Sequence, residues 1–418
     1  MATYKISLRD APEGFGWSWV RAINNAGQMC GVGTYPADGA AARPIAWFGA
    51  GAGQQIAVPG EEGAAYDIND AGDVVGYMGS YAPDHSAFVY RNGTTAPLAG
   101  VPGPWSIALS INNSGLIAGT CGPTLGTRVF VHDSNQDVLV ETIEPLPGHD
   151  VTRDGYVNDE GHVVGISSYA NGLDARLFIR RNGSTEELGP VTYVRGINAS
   201  DMVVGTRAAV GLGAFRCLTS GSNPIFEQCG PGAEGRGINK TGLVVGFYLL
   251  PVRGGGVGEY DLRPFVHYPA GHPGAGFQDL PSAIENLAGW YSLVEAVDVN
   301  DKGYIAGQGI LDSGAVSVFV LEPQPEKPNL TDHHLLQFLK FLGAVVQGGG
   351  GTGIIPGGPP VPIPPHGFRP LLPAQRDLAV GQLASLLSAL VGNRTLGADM
   401  DRLGRELMAA AARELDTR

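Results

Sequence analysis

One phrase of about a dozen residues recurs along this chain and constrains its fold more than any other feature. Aligned on a shared asparagine, the copies read "AINNAGQMCGVG" (Asn24), "DINDAGDVVGYM" (Asn69), "SINNSGLIAGTC" (Asn112), "YVNDEGHVVGIS" (Asn158), "GINASDMVVGTR" (Asn198), "GINKTGLVVGFY" (Asn239) and "DVNDKGYIAGQG" (Asn300). Successive asparagines are 45, 43, 46, 40, 41 and 61 residues apart. Periods of about 40–50 residues built from short strands indicate propeller blades, not helical solenoids.

Each copy reads as two strands joined by a tight turn. Asparagine ends the first strand, where its side chain can bond the backbone two residues on. The glycine three positions later suits the left-handed conformation of such a turn. The fifth copy has Asp201 in that place, a residue that adopts this conformation at some cost. The second strand, "VVG" or "IAG", is a continuous apolar run fit for burial on both faces. Its closing glycine is expected to leave room where neighbouring blades approach. A third strand follows, as in "HSAFVYRNG" and "ARLFIRRNG", and then a fourth, as in "APLAGVPG". Four strands per repeat make a blade. The seventh copy lacks a fourth strand, and the N-terminal "YKISLRDAPEG" resembles the fourth strands elsewhere. The expected fold is therefore all-β, a seven-bladed β-propeller over residues 1–323 whose ring is closed by the N-terminal strand, leaving no open edge.

The pattern resembles the HAF repeat of bacterial, mostly extracellular, repeat proteins, over about residues 1–323. The last copy, "GWYSLVEAVDVNDKGYIAGQGILDSGAVSVFVLEP", looks like the terminal repeat of that family. The His–Ala–Phe element is present loosely, as His85-Ser86-Ala87-Phe88, while other copies place Arg, Leu or Val before the Phe. The resemblance implies the fold and an extracellular setting. "MATYKISLRD" has no apolar core of a signal peptide, so localisation stays open between the cytoplasm and a different export route.

The rest of the chain is of another kind. Net charge is −13, and all of it falls before residue 322, because residues 322–418 hold equal numbers of acids and bases. That balance argues against nucleic acid or an anionic membrane as the main partner. Residues 324–347 read as a proline-rich exit and an amphipathic helix, 348–373 as a Gly/Pro-rich linker, and 374–418 as a helical hairpin. Two short amphipathic helices cannot bury their own stripes, so docking, self-association or a partner is expected there. No apolar run reaches the ~18 residues of a membrane span. The four cysteines have no metal-ligand spacing; Cys217 and Cys229 fit either a bridge or two buried thiols.

Catalytic motifs are missing: GxSxG, HExxH, Walker and GxGxxG patterns do not occur in a suitable context. For calcium, Asp133, Asn135 and Asp137 have the 1-3-5 spacing of a binding loop, but Val138 stands where such a loop requires glycine. An Asp/Asn-rich turn is the competing account, and no cofactor is expected. Loop topology is more informative. Loops from fourth to first strands and from second to third strands share one face of a propeller. Trp17, Trp19, Trp105, Tyr193, Trp290, Tyr291, Tyr66 and Tyr260 fall in or beside those loops, with Arg21, Arg195 and Arg236 placed at the mouth-side start of the innermost strand. Aromatic faces stack on sugars or planar groups, and arginines clamp carboxylates. The expected function is a non-catalytic binding or scaffold module for a glycan or peptide. The alternative is a propeller lyase or hydrolase with its site at the channel mouth.

Overall fold

The computed structural model describes residues 3–324, apart from 36–40, 80–84, 123–125, 208–212, 220–223, 252–259 and 273. Seven four-stranded antiparallel sheets form the seven blades. Their innermost strands are Trp17–Ile23, Gly63–Ile68, Ser106–Ile111, Val151–Val157, Tyr193–Ile197, Ala233–Ile238 and Trp290–Val299, which we number as blades 1 to 7. In blade 7 the fourth place is taken by Thr3–Arg9, paired along Val316–Gln324 from Thr3↔Gln324 to Arg9↔Val318. The expected closure by the N-terminal strand is thus observed. The helices and linker expected over 325–418 lie outside the described residues.

The apolar core is split into layers between adjacent blades. Phe88 of blade 2 packs with Ala22, Cys30 and Ala46 of blade 1, and Phe319 of blade 7 packs with Val245 and Val266 of blade 6. The N-terminal strand is tied to blade 6 in the same way: Tyr4 and Tyr268 share a buried hydroxyl hydrogen bond of 2.8 Å. Cys30, Cys121, Cys217 and Cys229 are buried free thiols, and burial pushes both Cys217 and Cys229 up to about 12.

The repeat asparagine does more than shape its own turn. Its Oδ1 accepts backbone N–H groups two and four residues on, as Asn24 does from Ala26 and Gln28. Its Nδ2 donates to the backbone carbonyl of the repeat asparagine in the next blade. These links run Asn24 to Asn69 (2.8 Å), Asn69 to Asn112 (3.3 Å), Asn112 to Asn158 (2.8 Å) and Asn158 to Asn198 (2.9 Å). They continue Asn198 to Asn239 (2.8 Å), Asn239 to Asn300 (3.1 Å) and Asn300 back to Asn24 (2.8 Å). Seven buried amides thus make one closed hydrogen-bonded ring around the channel.

The second-strand glycine also differs from expectation. It faces the third-strand Phe within its own blade, as in Gly76↔Phe88 and Gly246↔Phe265. A Cβ on Gly76 would come within 1.9 Å of the Ala64 carbonyl oxygen on the inner strand. The closest approach is therefore inside each blade, and the next blade also comes close at two of these glycines, where a Cβ on Gly155 or Gly235 would lie 2.9 Å from the carbonyl oxygen of Gly119 or Gly205. Asp201 takes the turn position at φ +58° and uses its carboxylate across the blade 4–5 boundary. It accepts Asn158 Nδ2 at 2.8 Å, lies 2.8 Å from His162 Nδ1, and pairs with Arg181 at 3.3 Å.

Two stability outcomes follow. Asn112→Ala should cost about 3 kcal/mol, because one buried donor link and two turn N–H partners are lost together; thermal denaturation of the two proteins checks it. Asp201→Gly should relieve about 1 kcal/mol of backbone cost yet lower the melting temperature, because three charge-assisted contacts outweigh that relief. A melting temperature above that of the parent would show the reverse balance.

Candidate functional site

The channel is lined by the inner strands, and each inner strand carries a β-bulge. Pairing with the second strand skips Arg21, Tyr66, Leu109, Arg195, Arg236 and Val297, and in blade 4 it skips Asp154 and Gly155. A bulge re-aims a side chain out of the strand's alternation. Blade 7 also skips Tyr291 and Val294, outside the cavity; the skipped residue three before the asparagine in six blades, with Tyr156 from blade 4, lines one central cavity of about 290 Å³. That volume is near the lower end of the ~300–1,000 Å³ of small-molecule sites. It admits one ring-sized group, not a folded partner.

The cavity gathers charge. Arg21 lies over the Tyr66 ring, 5.4 Å from its centroid. Arg195 interacts with the Tyr156 hydroxyl and lies over Tyr193 at 5.2 Å. Arg236 lies 3.6 Å from both Glu234 and Glu295, and burial together with Arg195 holds it below the usual guanidinium range. Two carboxylates share the space. Asp67 accepts the N–H groups of Ile68 and Ile111, the latter in the next blade, each at 2.8 Å. Asp298 accepts those of Val299 (2.8 Å) and Ile23 (2.9 Å) in the same manner. Burial pushes Asp67 up to about 6 and Asp298 up to about 7, against the opposing pull of those N–H groups.

Several of the residues singled out in the sequence meet here, and several do not. Arg21, Tyr66, Arg195 and Arg236 line the cavity. Their position corrects an expectation: they sit toward the asparagine end of the inner strands, and the cavity reaches the turn-side mouth through Asn25, Asp70 and Lys240. Trp17, Trp19 and Tyr193 lie farther along the same strands, toward the long loops, with Trp17 and Trp19 5.1 Å apart. Trp105 packs near His85, which reaches Tyr77 and through it Tyr66. Trp290 packs edge-on against Phe319 in the core. Tyr260 and Tyr291 are exposed and outside the cavity. Asp67, Tyr156, Lys240 and Asp298 were missed from sequence. Asp67 and Asp298 could have been found by comparing the residue two before each repeat asparagine, a place held by Asp in those two copies.

The calcium candidates are committed to a turn. Asp133 accepts Asn135 N, Gln136 N and Gln136 Nε2, Asn135 bonds Arg91 and Ser114, and Asp137 accepts Ala99 N. Among the described residues no group of three or more His, Cys, Asp or Glu is placed to hold a metal ion.

No protein-family model matches the chain, and no curated protein matches it in sequence. Solved structures with a similar fold include the β-propeller domain of the Trilobed protease from Pyrococcus furiosus, with 10% identity and a TM-score of 0.46 over 76% of this chain and 96% of that one. A puromycin hydrolase is similar at 12% identity and a TM-score of 0.48, over 74% of this chain and 54% of that one. TolB from Acinetobacter baumannii is similar at 11% identity and a TM-score of 0.36, over 71% and 63%. This chain thus spans little more than half of the hydrolase.

The two buried carboxylates imply a pH signature. A carboxyl held above its unfolded value of 3.8 binds its proton more tightly when folded. Its contribution to stability is therefore complete below that value and is lost as pH rises to about 6 for Asp67 and about 7 for Asp298. Asp298→Asn should flatten the fall in melting temperature between pH 4 and 7; an unchanged slope would mean the carboxylate is better solvated than its surroundings indicate.

Proposed function

We propose that this protein is a non-catalytic binding propeller that takes a glycan or peptide group into its central channel. The carrying observation is the convergence of Arg21, Arg195 and Arg236, from three blades, with Tyr66 and Tyr156 on one cavity. Guanidiniums give fixed forks of donors and the tyrosines give flat apolar faces, a combination suited to recognition. Trp17, Trp19 and Tyr193 extend the aromatic surface toward the long-loop face. On this reading the chain is an HAF-repeat protein, and residues 325–418 serve attachment or assembly.

One observation favours the second reading, a lyase or hydrolase. Asp67 and Asp298 titrate near neutrality in the same cavity, as acid–base groups do. Against it, each carboxylate is already engaged by two backbone N–H groups.

The test is a glycan and peptide array probed with the full-length chain and with an Arg21→Met/Arg195→Met/Arg236→Met variant. Binding should be seen for the parent and fall by about tenfold or more in the variant. Ligands bound equally by both would remove the channel from the reading. Mass spectrometry of each bound ligand after overnight incubation should show it intact; cleavage products lost in Asp67→Asn or Asp298→Asn would establish the enzyme instead.

A further inference from the structure

We infer that the channel's ligand is an acidic sugar held through a single ring-borne carboxylate, an inference that rests on the binding reading above. The first ground is the order of side chains around the bulge layer. Arg195 and Arg236 come from blades 5 and 6 and Arg21 from blade 1, with the small Val297 of blade 7 between them. Facing them, blades 2 to 4 contribute Tyr66, Leu109 and Tyr156. The layer is thus basic on one half and apolar or aromatic on the other. A pyranose carrying one carboxylate has the matching pair of surfaces, an anionic edge and a flat C–H face.

The second ground is the state of the guanidiniums. Several arginines outside the channel are tightly met by carboxylates, as Arg91 is by Asp73 at 2.6 Å and Arg180 by Glu141 at 2.7 Å, although Arg9, Arg207 and Arg216 also keep a buried Nε without a partner. Inside it, Arg236 stands 3.6 Å from both Glu234 and Glu295, beyond hydrogen-bond reach. The Nε atoms of Arg236 and Arg195 are buried with no hydrogen-bond partner. Arg21 makes no ion pair within 4 Å among the described residues and rests on Tyr66. Buried donors left unmet are costly, and a bidentate carboxylate meets them.

The third ground is the rim. Just outside the amide ring, the backbone N–H of the residue after the repeat asparagine donates to a side chain of the next blade in five of the seven blades. Asn25 donates to Asp70, Asp70 to Asn113, Asn113 to Asp159, Lys240 to Asp301 and Asp301 to Asn25. The series stops at Ala199, which has no acceptor to offer, and Lys240 stands beside it with its side chain 61% exposed. This gap is on blades 5 and 6, the blades of Arg195 and Arg236. The same rim limits the charge of the ligand. Asp70, Asp159 and Asp301 at the rim, Asp67 and Asp298 in the lining, and Glu234 and Glu295 beside Arg236 would repel a polyanion. One carboxylate can be accommodated by the basic half; a phosphate chain cannot.

Calorimetric titration of the full-length protein with a disaccharide carrying one galacturonate residue and with its carboxyl-reduced counterpart tests this. The uronate should bind, and its reduced counterpart should bind about tenfold more weakly or worse. Arg21→Met should lose the preference for the acid, while Arg21→Lys should retain part of it. Equal binding of the two disaccharides, or a preference unchanged in Arg21→Met, overturns the inference. If a neutral glycan or a peptide binds and depends on the channel arginines, the binding reading stands and the carboxylate assignment falls. If the channel takes none of these probes, both fall.

Discussion

The structure depends on a closed ring of seven amide-to-carbonyl hydrogen bonds. An asparagine side chain is suited to this place because it both donates and accepts. Its oxygen satisfies the N–H groups of its own turn, and its NH₂ group reaches the next blade's backbone. Aspartate would supply the first function and present repulsion to the carbonyl in the second. The link from Asn300 to Asn24 spans 276 residues of sequence, so the ring joins the two ends of the array as firmly as it joins neighbours. Each blade buries its faces only against the blades beside it, and closure of the ring is what leaves every face covered.

A second constraint couples packing to the site. Each inner strand presses its backbone toward the second-strand glycine, with a buried Phe facing that glycine from the third strand in six of the seven blades. The ladder then slips at the bulge three residues before the asparagine, and over the fourth and third residues before it in blade 4. The unpaired residue turns toward the channel. The repeat therefore prescribes where a channel side chain stands, while leaving its identity free. Nature of the residue and place of the residue are separately encoded, which is how one scaffold can carry Arg, Tyr, Leu and Val at equivalent points.

Charge in the channel is arranged by height. Carboxylates one residue past the asparagine serve the rim hydrogen bonds, and those two residues before it clamp adjacent blades through backbone N–H groups. Among the channel guanidiniums, Arg195 and Arg236 each keep a buried Nε without a hydrogen-bond partner. On the proposed binding reading, recognition falls to the guanidiniums, because the carboxylates of Asp67 and Asp298 are held by backbone N–H groups.

Blade number, strand count per blade and closure by the N-terminal strand were legible in the sequence, because they follow from period, turn chemistry and a missing fourth strand. The role of Asn69 as a turn residue was legible too, since its Oδ1 bonds are local. Its bond to the Asn112 carbonyl was not, because that partner is 43 residues away. Arg21, Tyr66, Arg195 and Arg236 could be chosen as candidates by residue type and place in the repeat. Their side of the molecule was misjudged, because a bulge is invisible in strand alternation, and Tyr156 is offset by one residue for the same reason. The sequence by itself determined the repeat, the turns and the ring, all set by short-range hydrogen bonding and period. The tertiary structure alone decided which side chains share the channel and which charges remain unpaired, because convergence across seven blades depends on through-space geometry that no single repeat contains.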